Sequence, residues 1–490
     1  MLKWVGEFAK TRTAITVAVL VFIAASSLLR ATTFPESDIF WGARNGLDIL
    51  TRTGLNLTQP DSWNAITLGE EWSPNSWLWN VLLGAFYKVF GNYGFPLLTM
   101  GTIAAAFGFL WAYLQKLRMA PLTASIILIG CWLAELAFIN GRANTADFLI
   151  LTAFLYTSHQ LRTKPVLLII SSFLLTVLWM NLHLTGAVAV GVFPVVIYAL
   201  LSEERTARRI TITALAFLAT AAALIATPYG FGGFQKIMAV DSASKGMIIE
   251  WSSVWAYPQS DTGTIFLLLA AVPVLIFLAK KKAFLYGLAV MVLAVVTATT
   301  IRFAPYLLTV MLGALACFDY NPEFPALLRR FKNSRLYLTG FLFILMVGVS
   351  ATAVLSVARV AADPESMFPL RPSDFNAIPH GAVVASSQDA GSEMLLYRPD
   401  VLVTLDGRND LMGKTRFVES SNILFAADTG ALSAWLSAHR VTTVFTGTHE
   451  LGAAVVEKNM LKLGWDEERS GDAPIFQPWP SARPGKPAGK

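Results

Sequence analysis

Apolar residues in this chain fall in long blocks, not at a strand or amphipathic-helix period. Residues 13–30, 95–115, 121–139, 146–159, 165–181, 184–201, 208–227, 263–278, 283–299, 303–318 and 336–358 are nearly continuous in Leu, Ile, Val, Ala and Phe. About 20 such residues cross the roughly 30 Å hydrocarbon layer of a bilayer, so each block is predicted to be a transmembrane helix. A twelfth block, 73–90, is broken by Pro74, Asn75, Asn80 and Lys88 and carries Trp77, Trp79 and Tyr87. That mixture suits a helix lying in the interface with its rings at headgroup level. After Asp363 the pattern changes. Short β-rich runs (381–386, 401–405, 441–445) alternate with helical stretches (430–439, 452–463), which predicts a small α/β domain over 374–480. Residues 481–490, rich in Pro, Gly and Lys, read as a disordered tail.

The expected architecture is an all-α polytopic membrane bundle of about 11 transmembrane helices with a C-terminal small α/β soluble domain. The bundle takes residues 1–358, including an external loop at 31–94 with interfacial helices, and the soluble domain takes 359–480.

Charge sets the direction of threading. Lys and Arg gather at Lys3/Lys10/Arg12, Lys116/Arg118, Arg162/Lys164, Arg205/Arg208/Arg209, Lys280/Lys281/Lys282 and Arg329/Arg330/Lys332/Arg335. All six groups face the cytoplasm only if 73–90 does not cross. Eleven crossings of the inner (plasma) membrane then leave the amino terminus cytoplasmic and everything after Ala358 periplasmic or extracellular. The alternative is twelve crossings and a cytoplasmic tail. The first block follows Lys3 and Lys10 as a signal peptide would, yet runs to Leu29 without an A-x-A-like site, so it reads as a retained anchor.

Composition narrows the class further. The 490 residues are 55% hydrophobic and 14% charged, against about 25% charged in soluble domains, and the mean hydropathy is +0.55. A soluble multidomain enzyme, a coiled coil and a disordered chain are excluded. The net charge of +6 is spread over short loops, with nothing resembling a nucleic-acid groove. Cys131 and Cys317 lie inside apolar blocks and offer neither a disulfide framework nor a zinc spacing.

Ionisable groups near membrane depth or in wet external loops are functional candidates, and here they collect on one expected face. The loop 31–72 carries Glu36, Asp38, Arg44, Asp48, Asp61, Glu70 and Glu71 beside Trp41, Trp63 and Trp72. Residues 38–51 have an amphipathic pattern, and Asp48 and Asp61 are expected to face water. Asp38 is different. It follows soon after the first crossing, before Ile39-Phe40-Trp41, where partial desolvation raises a carboxylate toward general-base values.

In 140–147, Asp147 suits a helix-start acid, whereas Arg142 has no capping use there and suits a phosphate. Trp179-Met180-Asn181-Leu182-His183 closes a crossing; His183 is either a satisfied structural histidine or a contact to sugar or phosphate. The segment 228–261 adds Lys236, Lys245, Glu250 and Trp251. Arg302 stands at the outer mouth of a crossing, where snorkelling would explain it equally well. Indole faces bind sugar rings, cations bind phosphate, and an acid removes a hydroxyl proton. Transfer of a sugar from a polyprenyl-phosphate carrier requires all three.

The ordered set Ser37-Asp38-Ile39-Phe40-Trp41, Thr67-Leu68-Gly69-Glu70-Glu71-Trp72, Arg142 with Asp147, Trp179 to His183, Pro228-Tyr229-Gly230, Glu250-Trp251-Ser252 and Arg302 resembles the GT-C superfamily of integral-membrane glycosyltransferases. It is more closely similar to a bacterial branch related to lipid-linked-sugar and protein mannosyltransferases. Leu405-Asp406-Gly407-Arg408-Asn409-Asp410 continues the branch pattern. The resemblance implies Asp38 as the catalytic acid of the first external loop, Asp147 as the second-loop acid, and an interfacial helix before the second crossing. It also implies single displacement with inversion at the anomeric carbon. The chain departs from the branch at Leu184-Thr185, where a glycine is usual, and at Thr227, where Asn is usual.

The expected site therefore has Asp38 as base, with Arg142, Asp147, His183, Lys236, Lys245, Glu250 and Arg302 toward donor phosphate and sugar. Trp41, Glu71, Trp72 and Trp251 lie toward the acceptor. No D-x-D motif stands in the external loops, so no cofactor is named and a divalent metal has no motif behind it. The expected partners are a polyprenyl-phosphate sugar donor, membrane lipid and a glycan or protein acceptor, with no nucleic acid. Two other readings stay open. One is a flippase for a lipid-linked sugar, although the paired repeats and broken helices of transporters are not seen. The other is a scaffold of envelope-glycan assembly, in which Asp406-Gly407-Arg408 is only a strand-end turn with an Asp–Arg pair.

The shared chamber requires one sidedness. Single cysteines placed in 31–72 and in 140–147, in a background lacking Cys131 and Cys317, are expected to react with a membrane-impermeant maleimide from the outer side. Labelling of the two segments from opposite sides would remove the chamber.

Overall fold

The computed structural model describes residues 12–33, 36–52, 57–119, 121–202, 204–233, 251–256, 262–317, 370–447, 452–470 and 473–478, with isolated positions between 347 and 358. In chain order the helices begin with α1 (Arg12–Thr33), α2 (Asp38–Thr51), α3 (Trp77–Phe90), α4 (Gly94–Lys116), α5 (Pro121–Glu135) and α6 (Asn144–Leu161). Next come α7 (Pro165–Leu182), α8 (Ala189–Leu200), α9 (Thr206–Ala223), α10 (Thr262–Lys280), α11 (Phe284–Thr299) and α12 (Ala304–Ala314). The last are α13 (Gln388–Tyr397), α14 (Asn409–Ile423), α15 (Thr429–Ala438) and α16 (Ala453–Lys462). The strands are β1 (Gln59–Pro60), β2 (Glu71–Trp72), β3 (Val383–Ala385), β4 (Leu402–Val403), β5 (Thr443–Phe445), β6 (Trp465–Ser470) and β7 (Ala473–Pro478). Contacts divide the chain into two compact units. One comprises Met1–Phe34, Phe95–Met238 and Lys245–Ala358, the other Pro35–Gly94, Ala239–Ser244 and Arg359–Lys490. The external loop expected to accompany the bundle thus contacts the carboxyl-terminal residues.

The first unit is helical. Helices α1 and α4 to α12 coincide with ten of the predicted crossings, and the eleventh, 336–358, falls largely outside the described residues. Among the described residues three helical runs are individually long and apolar enough to cross: Trp77–Lys116, Pro165–Leu182 and Thr262–Lys280. Leu167, Ile170, Leu174 and Leu178 on α7, and Phe266, Leu269, Val272 and Ile276 on α10, form exposed apolar stripes three or four residues apart. Water penalises such stripes and lipid does not, so this is a membrane unit.

Inside it, every residue of α12 is buried, and Phe154 of α6 stacks on Phe193 of α8 with ring centroids 3.6 Å apart. Six hydroxyls return to their own helix. Ser27, Thr152, Ser172, Thr176, Thr220 and Thr309 each donate to the carbonyl four residues earlier. A hydroxyl then costs little in an apolar interior.

In the second unit, α2 and α3 cross closely. A Cβ at Gly46 would strike the Asn80 carbonyl, and one at Gly84 would meet the backbone of Gly46 and Leu47. Asn80 Nδ2 donates to Asn45 Oδ1 at 3.1 Å across the same crossing. Helix α3 has 14 residues and ends at Gly91, whose φ of 58° breaks the run before α4.

The carboxyl-terminal sheet has the order β4-β3-β5-β7-β6. Strands β3, β4 and β5 are parallel, while β7 runs antiparallel to both β5 and β6. The first external loop extends it. Ala65 N–H donates to the Val403 carbonyl (2.8 Å) and Val403 N–H to the Trp63 carbonyl (3.0 Å), which covers the β4 edge. Trp41, Trp63 and Trp72 then join Phe375, Val384, Met394 and Ile475 in one core.

A buried ion cluster fixes that junction. Arg408, 1% exposed, bonds to Asp61 Oδ1 (2.7 Å) and to Asp406 through Nε (2.9 Å) and Nη2 (2.8 Å). Its guanidinium lies 4.6 Å from the Trp63 ring centre and 5.0 Å from that of Trp72. Thr67 Oγ1 donates to Asp61 and Asn64 Nδ2 to Asp406. The expectation that Asp61 faces water is therefore corrected: it is 5% exposed and paired. Asp48 is half-buried against Arg44, and burial pushes its carboxyl up.

Burial alone would also raise Asp406, but the adjacent Arg408 and the bond from Asn64 overcome it and hold the carboxyl below the usual range. Hydrogen bonds from Arg398 hold Asp400 at about 2. A depressed folded pKa gives stability that is complete above the unfolded value, about 3.9, and is lost as pH falls through the folded one. Melts of the full chain in detergent should therefore hold from neutral pH to about 4 and decline below it. Arg408→Met should cost about 3–5 kcal/mol at neutral pH, by leaving two buried carboxylates unpaired, with a smaller gap in acid. An unchanged melt for that variant would contradict the account.

Candidate functional site

In the membrane unit, three chain ends build one polar cluster. Helix α7 stops at Leu182, and His183 turns extended (φ −159°, ψ 129°) before a 3-10 turn, Leu184–Val188, leads into α8. Gly186 permits this, since a Cβ there would stand 2.7 Å from the Met180 nitrogen. Asp147 lies one turn into α6 and is 3% exposed. Its carboxylate accepts from Trp179 Nε1 (2.7 Å), His183 Nδ1 (3.0 and 3.1 Å), Thr185 Oγ1 (2.9 and 3.0 Å) and Tyr306 OH (3.4 Å). His183 Nε2 lies 3.2 Å from Arg302 Nη2. A guanidinium only donates, so Nε2 accepts and the proton sits on Nδ1, aimed at Asp147. The Arg302 guanidinium stands 5.1 Å from the Trp251 ring centre.

Asp147 stands in the first turn of α6, as a helix-start acid does, but it caps nothing: the N-cap is Ala143, with no side-chain cap bond. His183 is bonded through both ring nitrogens, in keeping with the structural one of its two readings. One reading changes: Arg302 does not snorkel but bonds to His183. Arg142 stands two residues before α6, half-buried, and its backbone N–H donates to Asn140 Oδ1 at 3.2 Å. Lys236, Lys245 and Glu250 lie outside the described residues. Sequence reasoning missed Thr185 and Tyr306. Thr185 had a signal, being a hydroxyl at the departure from the branch pattern, whereas Tyr306 reads as one more aromatic in an apolar run.

In the second unit, Asp38 is the first residue of α2 and is half-buried. Its Oδ1 accepts from Trp41 Nε1, one turn on, at 2.9 Å. Gly407, between the two residues of the Asp406–Arg408 pair, packs on this bond so closely that a Cβ would collide with Asp38 Oδ1 and Trp41 Nε1. The Trp41 and Trp72 rings meet edge to face at 5.8 Å, and Trp72 Nε1 donates to Asp410 Oδ2 at 3.3 Å. Both indoles are buried, at 8% and 7% exposure, so they orient carboxylates and do not offer open ring faces. Glu71 is exposed, opposite Pro60 in the β1–β2 pair. Its neighbour Glu70 pairs with Arg416, whose hydrogen bond holds the Glu70 carboxyl below its ordinary range. Gly407 and Asp410 were quoted from sequence only as a continuation of a pattern. Nothing in their spacing linked them to Asp38.

No protein-family model matches the sequence, and no curated protein matches it either. Among solved structures, the chain is similar to the archaeal oligosaccharyltransferase AglB from Archaeoglobus fulgidus, solved in complex with an inhibitory peptide and a dolichol-phosphate. The TM-score is 0.55 over 96% of this chain and 75% of that one, at 10% identity. The chain therefore shares the fold of that structure. At that identity the likeness speaks to fold and leaves the residues to be argued on their own geometry.

Within the membrane unit the Asp147 cluster is internally satisfied, so its loss should be felt as stability. Asp147→Ala would strand four donors and should lower stability by about 3–5 kcal/mol, whereas Asp147→Asn keeps an acceptor and should cost less than half of that. Melting temperatures of the two purified variants in detergent provide the check. Equal melts would show that the carboxylate is not the anchor of the cluster.

Proposed function

We propose that the chain is an inverting glycosyltransferase, moving a sugar from a polyprenyl-phosphate donor to a hydroxyl of an extracytoplasmic glycan, lipid or protein. The observation that carries this reading is a GT-C-like fold whose first helix after the first apolar helix opens on a carboxylate, Asp38, oriented by Trp41. AglB was solved with a dolichol-phosphate, a lipid carrier of the same chemical kind as the proposed donor.

In the proposed reaction Asp38 takes the proton of the acceptor hydroxyl as its oxygen attacks the anomeric carbon. The bond from that carbon to the phosphate oxygen breaks, its electron pair leaves with the lipid phosphate, and the configuration inverts. Arg142, Arg302, Lys236 and Lys245 offset the departing charge. Asp147 and His183 hold Arg302 in place, and Trp41 and Trp72 hold the two acids of the second unit. Glu250, Trp251 and Glu71 are assigned to sugar and acceptor. In this reading the amino terminus is cytoplasmic and the carboxyl-terminal domain extracytoplasmic, in the inner membrane.

Asp38→Asn keeps shape and the Trp41 bond but removes the base. It should lower transfer at least about 100-fold, with melting and donor binding unchanged. The check is a proteoliposome assay with labelled lipid-linked sugar. Wild-type turnover by the variant would eliminate Asp38 as base, and movement of label across the bilayer without donor cleavage would favour transport.

A further inference from the structure

The connections of the carboxyl-terminal sheet reverse direction between β3 and β5. From β3 the chain passes through α13 to β4 on one side; from β5 it passes through α16 to β6 on the other. Between the carboxyl ends of two neighbouring parallel strands whose connections diverge, the sheet cannot be covered. Open α/β sheets place ligands in that crevice. Here it holds a cavity of about 280 Å³ lined by Ser386, Gln388, Asp389 and Thr446 and by Phe417 and Phe425.

A second observation points to an occupant. Thr446 is 2% exposed, and its Oγ1, buried, has no hydrogen-bond partner among the described residues. A stranded buried hydroxyl is costly unless something in the cavity satisfies it. The aromatic wall is also held deliberately. Gly452, at φ 91°, stands where a Cβ would strike the Phe425 ring, so the ring keeps its place only beside a glycine.

The lining decides the chemistry. Among the described residues no Lys or Arg lines the cavity, and Asp389, in the first turn of α13, contributes a negative charge. An anion would be repelled despite two helix amino termini nearby. Hydroxyls, an amide and a carboxylate facing phenyl rings match the alternating hydroxyl and C–H surfaces of a neutral sugar. The volume, just below the roughly 300–1,000 Å³ of drug-sized sites, suits a single ring.

We propose that the crevice between β3 and β5 is a second, non-catalytic saccharide site that binds a neutral sugar ring through Thr446, Gln388 and Asp389. Its use as a subsite for the acceptor glycan rests on the transfer reading above; the binding itself does not.

The test uses the full chain in nanodiscs and saturation-transfer NMR with glucose, galactose, mannose and N-acetylglucosamine, each challenged with inorganic phosphate. At least one sugar should receive saturation, and its affinity should fall about tenfold in Thr446→Val, the loss of one hydrogen bond. That variant removes a stranded hydroxyl without changing shape, so its melt should be unchanged or raised. Phe425→Ala, at an exposed ring, should weaken the same signal. No transfer from any sugar, equal affinity in wild type and Thr446→Val, or displacement by phosphate would each overturn the proposal. Because no turnover is needed, an inactive Asp38 hypothesis and an empty crevice give separate results.

Discussion

The second unit depends on one buried cation. Arg408 sits between Asp61 and Asp406, residues that the sequence separates by more than three hundred positions, and each ion had to leave water to reach that place. Desolvation costs several kcal/mol per ion, and attraction offsets it only where geometry is good and every remaining lone pair finds a donor. Two acids on one base would leave a surplus negative charge. Thr67, Asn64 and the backbone amides of Trp63 and Arg408 supply the further donors, and the Trp63 and Trp72 faces accept the guanidinium. Hydrophobic packing tolerates sliding by a residue; this cluster does not. It sets the register in which residues 63–65 extend the sheet, and it presents Gly407 to Asp38 and Trp41.

The membrane unit solves a different problem with similar parts. A carboxylate amid apolar helices must be neutralised or fully bonded. Asp147 collects four side-chain donors from α6's neighbours, and His183 relays it to Arg302. Donors at three chain ends reach one carboxylate because α7 breaks at His183, the following turn is 3-10, and α12 is itself preceded by a 3-10 turn, Ile301–Phe303. Regular helices would carry these side chains past one another. Broken backbone at membrane depth is tolerated where protein or polar groups cover it.

Much of this was legible in the sequence, for physical reasons. Long apolar blocks announce buried or lipid-facing helices whatever their neighbours do, and ten blocks became helices. The amphipathic stretch gave α2 with its observed ends, Asp38–Thr51. Helix α16 and strands β3, β4 and β5 fall within the predicted runs, and α15 begins one residue before its run. Helices α13 and α14 and the β6–β7 hairpin were not foreseen, because Gly391 and Gly413 weaken any helical pattern and Trp465–Ser470 is mostly charged. Asp61 was misread for a general reason: local pattern marks a carboxylate as solvated unless the distant arginine that buries it is known. Asp38 was singled out by its position alone, while Gly407 and Asp410 belong to its surroundings through tertiary structure alone.

The carboxylates themselves differ by the partner each has been given. Asp61, Asp406, Glu70 and Asp400 bond to arginines, and in Asp406, Glu70 and Asp400 the guanidinium helps to hold the carboxyl below its ordinary range. Asp38, Asp147 and Asp410 each accept from an indole N–H, of Trp41, Trp179 and Trp72. An indole only donates, carries no charge and is rigid, so it fixes the direction of a carboxylate oxygen while adding less stabilisation to the anion. Arginine brings charge and two parallel donors to the acids it holds, whereas tryptophan brings direction without charge.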